Sequence, residues 1–189
     1  MIKVVICNGK PGVGKSEFQQ ACYRLCELNG KKNGFTQDKY LLVDIASTVD
    51  FVKGIAYECG WDGTKTLENR KFLSDLKALL TEWNDVPNTI IEDRVKSLSS
   101  TYDWIVFVDC REPVEIQKLK ERLNATTILI RRESVENSKT SNDSDAKVFE
   151  CDYDLTIFNN SDIIHLEDEV RKFIEYMKKE EVPHYVNVD

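Results

Sequence analysis

Eight consecutive residues, Gly9-Lys10-Pro11-Gly12-Val13-Gly14-Lys15-Ser16, place glycines, a lysine and a hydroxyl at the spacing G-x-x-x-x-G-K-[ST]. That spacing suits the grip of a triphosphate. Glycine backbone can turn successive amides inward around anionic oxygens, where larger side chains would obstruct the approach. Lys15 then reaches the β- and γ-phosphates, and Ser16 offers its hydroxyl to a Mg²⁺ ion bridging them. The plainer reading is a Gly-rich turn whose Lys and Ser are ordinary surface residues.

A phosphate grip of this kind needs a strand before it and a helix after it. Ile2 to Cys7 is a short β-prone run, and Glu17 to Leu28 reads as helix, so the positive end of that helix faces the loop. Further strand-like runs occur at Tyr40 to Ile45, Trp104 to Val108, Thr126 to Ile130 and Leu155 to Phe158. Helical stretches separate most of them, which predicts a parallel sheet covered on both faces. The first and third runs end in polar residues, where the ligand crevice of such a sheet lies. Leu73, Leu76, Leu80 and Trp83 recur at helical steps, as do Val170, Phe173, Ile174 and Met177, and both sets are expected to face a core. Pro87 and Pro113 suit first helical turns.

The region from Ile45 to Trp104 holds no convincing strand and reads as an inserted set of two or three helices around Cys59-Gly60-Trp61-Asp62-Gly63. The segment from Arg131 to Cys151 is polar, and a long polar loop on a nucleotide-binding core is expected to act as a lid. The expected organisation is therefore one domain with a core at 1–46, 102–130 and 151–180, an insertion at 47–101 and a lid at 131–150.

At 189 residues and 41% hydrophobic content the chain can bury one sizeable core. A formal charge of -7 argues against nonspecific nucleic-acid binding, which calls for a basic footprint. No apolar run reaches membrane-span length, and the N-terminus lacks a secretory layout, so a cytosolic location is expected. For a phage-encoded chain that means the host cytoplasm. Cys7, Cys22, Cys26, Cys59, Cys110 and Cys151 form no C-x-x-C pair and read mainly as small apolar residues. His165 and His184 have no partner at ligand spacing.

The chain resembles P-loop nucleoside monophosphate kinases, and among them the bacteriophage-type deoxynucleoside monophosphate kinases most. The resemblance rests on Gly9 to Ser16, on Gly60-Trp61-Asp62-Gly63-Thr64-Lys65 with Arg70 downstream, and on Asp109-Cys110-Arg111-Glu112-Pro113 after a strand. Ile130-Arg131-Arg132 entering the lid, and Tyr153-Asp154 followed by Asn159-Asn160, complete it. It implies a P-loop NTPase fold, a three-layer α/β/α arrangement with a mostly parallel five-stranded sheet. It also implies transfer of the γ-phosphoryl group of ATP, with Mg²⁺, to a (deoxy)nucleoside monophosphate. Nucleotides are the expected partners, without nucleic acid or membrane, and a homodimer is one assembly it allows.

On that resemblance Lys15, Arg111, Arg131 and Arg132 are the cations around the moving phosphoryl, and Ser16 and Asp109 order the metal. Trp61, Asp62, Gly63, Lys65 and Arg70 meet the acceptor, Arg70 through a guanidinium able to donate two parallel hydrogen bonds to phosphate. Each has a plainer alternative. Arg131 and Arg132 could be a solvated pair, Arg111 and Arg70 surface ion-pair partners, Asp109 a helix cap, and Trp61-Asp62-Gly63 an Asp-Gly turn with an anchoring indole. Two other functions use the same loop: a P-loop kinase of another small-molecule acceptor, and a nucleotide-hydrolysing switch. The switch fits less well, because the chain has no Asn-Lys-x-Asp segment and no Gly directly after Asp109.

Overall fold

The apolar runs expected as strands do form one sheet. The computed structural model describes residues 1–32, 41–136 and 147–179; Tyr40, lid residues 137–146 and the tail from 180, with His184, lie outside the described residues. In chain order the elements are β1 (Ile2–Asn8), α1 (Lys15–Lys32), β2 (Leu41–Ser47), α2 (Asp50–Glu58), α3 (Leu67–Asn84), α4 (Val86–Ser97) and β3 (Asp103–Asp109). They continue with α5 (Pro113–Leu123), β4 (Thr126–Arg131), α6 (Glu133–Glu136), a 3₁₀ turn (Lys147–Glu150), β5 (Leu155–Phe158) and α7 (Ile163–Lys178). The chain forms two compact units, Met1–Ile45 with Ser99–Asp189, and Ala46–Leu98.

In the first unit the strand order is β2-β3-β1-β4-β5. β1 runs parallel to β3, with Cys7 opposite Asp109, and parallel to β4, with Asn8 opposite Leu129. β4 runs parallel to β5, with Arg131 opposite Phe158. The central strand is buried from Val4 to Asn8, as required of a parallel strand covered on both sides. Alternate side chains divide between two cores. Val5, Cys7, Ile105, Phe107, Ile128 and Ile130 pack with Phe18, Cys22 and Leu25 of α1 and with Val170, Phe173, Ile174 and Met177 of α7. The intervening Val4, Ile6, Val106, Val108 and Leu129 are buried on the opposite face, where α5 contacts β1 and β4 and buries Ile116 and Leu119. The result is the expected three-layer α/β/α arrangement on a five-stranded sheet.

Phe18 is the keystone of the α1 side. It is fully buried, with its ring centroid 6.2 Å from that of Phe107 and 5.3 Å from that of Phe173, both edge-on. Phe18→Ala is expected to cost about 3–5 kcal/mol through lost burial and an unfilled cavity. Denaturant unfolding of the variant checks this, and a loss well below that range would mean the core closes over the site.

The second unit is a helical trio in which α3 contacts both α2 and α4. Thr66 caps α3 by accepting the Asn69 N–H at 3.2 Å, and Pro87 enters the first turn of α4. Asp85, in the left-handed region at φ 50°, ends α3 and reverses the chain. The stripe expected on α3 is only partly covered. Leu73, Leu76 and Leu80 are half-buried, but Trp83 is 82% exposed. Trp83 sits in the last turn of α3, just before Asp85 ends the helix, beyond the half-buried Leu73, Leu76 and Leu80 of the same stripe.

Candidate functional site

Residues 9–16 connect the carboxyl end of β1 to the first turn of α1, so they occupy the edge of the sheet where strand ends and a helix N-terminus converge. The first amides of a helix have no intrahelical acceptor and carry the positive end of its dipole, which favours phosphate there. The Lys15 ammonium donates to the Gly9 carbonyl at 2.6 Å, folding the side chain back along the loop. Val13 is buried beneath it, and its carbonyl accepts the Asn159 Nδ2–H at 2.8 Å. Asn159 is itself buried after β5, and its own backbone N–H donates to the Arg131 carbonyl at 2.8 Å. One residue thus ties the loop, through its side chain, to the ends of β4 and β5, which its backbone joins.

At the end of β3, half-buried Asp109 stands in register with Cys7 of β1. Gln19, 2% exposed, donates from Nε2 to Asp109 Oδ1 at 2.8 Å. Lys15 and Gln19 lie one helical turn apart, on the same face of α1. The Cys7 thiol, on the strand position opposite Asp109, feels the charges of Asp109 and Lys15. Burial pushes it up strongly and Asp109 adds to that, while Lys15 and the Gln19 hydrogen bond oppose. An ammonium and a carboxylate therefore share one neighbourhood at the head of the sheet. No cluster of three or more His, Cys, Asp or Glu side chains suited to a metal occurs among the described residues. A hydroxyl from Ser16 and a carboxylate from Asp109 are hard oxygen donors, however, and Mg²⁺ at a phosphate site commonly takes only one or two carboxylates, with phosphate and water supplying the rest. The donor set fits that ion.

The ends of β4 and β5 supply a different grouping. The Arg131 guanidinium carbon lies 5.4 Å from the ring centroids of both Phe149 and Phe158, and the Lys10 ammonium lies 5.5 Å from that of Phe149. Cations over aromatic faces gain from the ring quadrupole. Arg132, half-buried, follows β4 and its carbonyl accepts the Val135 N–H at 3.0 Å. The Glu133 N–H that opens α6 donates to Asn160 Oδ1 at 2.9 Å. Arg111 is exposed two residues beyond Asp109, ahead of α5.

Trp61, Asp62, Gly63, Lys65 and Arg70 all lie in the second unit, whereas the Gly9–Ser16 loop lies in the first. Asp62 Oδ1 accepts the Thr64 N–H at 2.9 Å, the Thr64 hydroxyl at 2.7 Å and the Asn69 Nδ2–H at 3.0 Å. The Thr64 hydroxyl, foremost among these donors, holds the exposed carboxyl below the usual range. Half-buried Trp61 stacks at a tilt on Tyr57, with centroids 4.7 Å apart, and its indole N–H donates to the Thr64 carbonyl at 3.3 Å. Lys65 and Arg70 are exposed, Arg70 in the first turn of α3.

Two polar residues now stand out that motif spacing did not select, Asn8 and Gln19, and two that carry part of the resemblance without an assigned role, Tyr153 and Asn159, make contacts at the loop or at the strand before it. Asn8 had a signal, as the polar residue closing an otherwise apolar strand, and Gln19 had a weaker one in its helical spacing from Lys15. All six cysteines are free thiols, and Cys7, Cys22, Cys26 and Cys110 are buried. Burial pushes the Cys26 thiol up to about 11, which keeps it unreactive. No described helix is long and apolar enough to cross a membrane.

No family model matches the chain, and no curated protein matches it. Among solved structures it is similar to the APS kinase of Mycobacterium tuberculosis solved with AMPPNP and APS, at 11% identity and TM-score 0.44, covering 94% of this chain and 98% of that one. It is also similar to the shikimate kinase of Aquifex aeolicus, at 12% identity and TM-score 0.47, covering 92% and 97%. A third likeness is to the thymidylate kinase of Ehrlichia chaffeensis, at 13% identity and TM-score 0.45, covering 92% and 98%.

Proposed function

We propose that this chain is a P-loop kinase that transfers the γ-phosphoryl group of ATP to a (deoxy)nucleoside monophosphate, giving the diphosphate and ADP. One observation carries the reading: the Gly9–Ser16 loop joins β1 to α1 with the Lys15 ammonium folded onto it, and Gln19 holds Asp109 at the neighbouring strand end. Phosphoryl transfer asks a protein chiefly for position and charge, since the bond chemistry needs little covalent help. The loop amides and the α1 N-terminus bind the triphosphate tail, and Lys15 neutralises the β- and γ-oxygens. Ser16 and Asp109 would hold Mg²⁺, which when bound neutralises charge on those same oxygens.

Arg111, Arg131 and Arg132 follow the ends of β3 and β4 and are assigned the charge that develops on the transferred group. Arg131 comes with its guanidinium already oriented by Phe149 and Phe158, which lowers the entropy lost when it meets phosphate. The helical unit Ala46–Leu98, which holds most of the expected insertion 47–101, is assigned the acceptor. Asp62 there braces the turn that opens α3, and Arg70 on that first turn takes the acceptor's phosphate, with Trp61, Gly63 and Lys65 around it.

The test is a product assay with ATP and Mg²⁺ against every ribo- and deoxyribonucleoside monophosphate, with nucleosides and small hydroxylated or phosphorylated metabolites as separate arms. Diphosphate and ADP should appear with at least one monophosphate, at about 1–100 turnovers per second for the preferred one. Phosphorylation only in the other arms would reassign the acceptor. Phosphate release without transfer to any acceptor would make the chain a nucleotide-hydrolysing module instead.

A further inference from the structure

Asn8 is fully buried at the last position of β1, and its Oδ1 accepts the Gly9 N–H at 2.8 Å. A backbone amide can only donate, so that contact fixes which end of the carboxamide faces the loop and turns Nδ2 the other way. Nδ2 donates to the Tyr153 hydroxyl at 2.8 Å, and the hydroxyl in turn donates to the Val148 carbonyl at 2.8 Å. On the other side of Gly9, its carbonyl accepts the Lys15 ammonium at 2.6 Å. A directed chain of four hydrogen bonds thus runs from the 3₁₀ turn Lys147–Glu150, through Tyr153, Asn8 and Gly9, to Lys15. Its directions are mutually consistent: each link leaves the next group only the role it plays. Burial pushes the Tyr153 phenol up, so the hydroxyl stays protonated and able to donate.

Gly9's N–H is committed to Asn8 and therefore contributes nothing to the phosphate cradle. What the bond does is fix the plane of the Asn8–Gly9 peptide, from which the next peptide, carrying the Gly9 carbonyl on which Lys15 rests, takes its start. The far end of the chain is equally placed. Val148 precedes Phe149, whose ring lies against Arg131 and Lys10, so the same turn that anchors Tyr153 also carries the aromatic partner of two site cations.

We infer that Asn8 and Tyr153 are positioning residues for triphosphate binding, holding Gly9 and through it Lys15 in the arrangement that receives phosphate, and linking that arrangement to the Lys147–Glu150 turn. The inference rests on the reading of the loop as a triphosphate site. An apolar residue at position 8 would leave the Gly9 amide without its acceptor, and the loop would then sample other orientations. When only a fraction of molecules is competent, apparent affinity falls by that fraction.

Calorimetric titration of the full chain with a nonhydrolysable ATP analogue and Mg²⁺, alongside melting temperatures, tests it. Tyr153→Phe should raise Kd about tenfold and Asn8→Ala about thirtyfold, corresponding to competent fractions near a tenth and a thirtieth. The double variant should bind no more than about twofold more weakly than Asn8→Ala alone, because Tyr153 acts through Asn8. Asn8→Asp keeps the acceptor for Gly9 and should fall between the unaltered chain and Asn8→Ala. Met177→Ala serves as the comparison: it empties a side chain, 1% exposed, near the end of α7, where the Lys179 carbonyl accepts the Lys3 ammonium at the opposite end of β1 from Asn8, and should lower the melting temperature while leaving Kd unchanged. Kd values for Tyr153→Phe and Asn8→Ala within twofold of the unaltered chain would overturn the positioning role, as would an equal weakening by Met177→Ala. Absence of binding by the unaltered chain would instead remove the triphosphate reading, and this inference with it.

Discussion

Lys15→Ala is expected to lower turnover roughly a hundred- to a thousandfold, the range seen when one preorganised charge-stabilising donor is removed from a reaction site. The reason lies in where the ammonium rests. It is half-buried, donates to the Gly9 carbonyl, and shares its surroundings with Asp109, so it is partly shielded from water before any ligand arrives. A charge in that setting interacts with phosphate more strongly than one in bulk solvent. The fold should survive, since Ala is a good helix former at the start of α1 and the bond to Gly9 contributes only about 1 kcal/mol. Lys15→Arg should restore charge but little activity, because a planar fork cannot replace a compact ammonium at a carbonyl 2.6 Å from its donor. Steady-state kcat of both variants against the preferred acceptor, with melting curves alongside, decides the matter. Turnover within a few-fold of the unaltered chain in Lys15→Ala would remove the residue from the reaction.

Why the loop was legible and its supports were not follows from what each residue needs. On the proposed reading Gly9, Gly12 and Gly14 answer a local demand for backbone that can approach phosphate, and Lys15 and Ser16 stand at fixed steps from them, so the whole device is written into eight positions. The strands were legible for a similar reason. A parallel strand covered on both faces must be apolar throughout, and Leu155 to Phe158 was readable to the residue. Asn8 and Gln19 answer tertiary demands instead. Their partners, Tyr153 and Asp109, lie 145 and 90 residues away, and a polar residue at a strand end or on a helix looks solvated until its partner is placed. Asp62 shows a further difficulty. Its bonds to Thr64 and Asn69 make it a brace for the start of α3, a job that the same Asp-Gly sequence suggests as readily as contact with an acceptor. Trp83 fails for yet another reason: helical spacing says which residues share a face, whereas the extent of cover over that face depends on neighbouring helices.

The steepest loss of all is expected from Gly9→Ala, and the position of the loop within the sheet explains why. A Cβ built there would stand well inside van der Waals contact with the Ile130 carbonyl oxygen and 2.9 Å from Val13 Cγ2, at a φ of +149° that L side chains rarely adopt. The obstructing carbonyl belongs to β4, which is paired to β1 immediately alongside, so it cannot withdraw without parting the two strands. At Gly14, φ +97°, the obstructing group is the Asn159 carboxamide, a side chain that can move, but only by giving up its buried bond to the Val13 carbonyl. At Gly12, φ +83°, the nearest atom is Val135 Cγ1 at 4.0 Å, leaving only backbone strain. Such strain costs about 1–3 kcal/mol by itself. Melting temperatures should therefore fall in the order Gly9→Ala most, Gly14→Ala next and Gly12→Ala least, with roughly 2–4 °C lost per kcal/mol for a chain of this size. Gly9→Ala should also abolish calorimetric binding of the ATP analogue, because the displaced peptide carries the carbonyl on which Lys15 rests. A Gly9→Ala variant that melts and binds like the unaltered chain would show that the loop is not held against β4, and the account of how this fold prepares its phosphate site would fall with it.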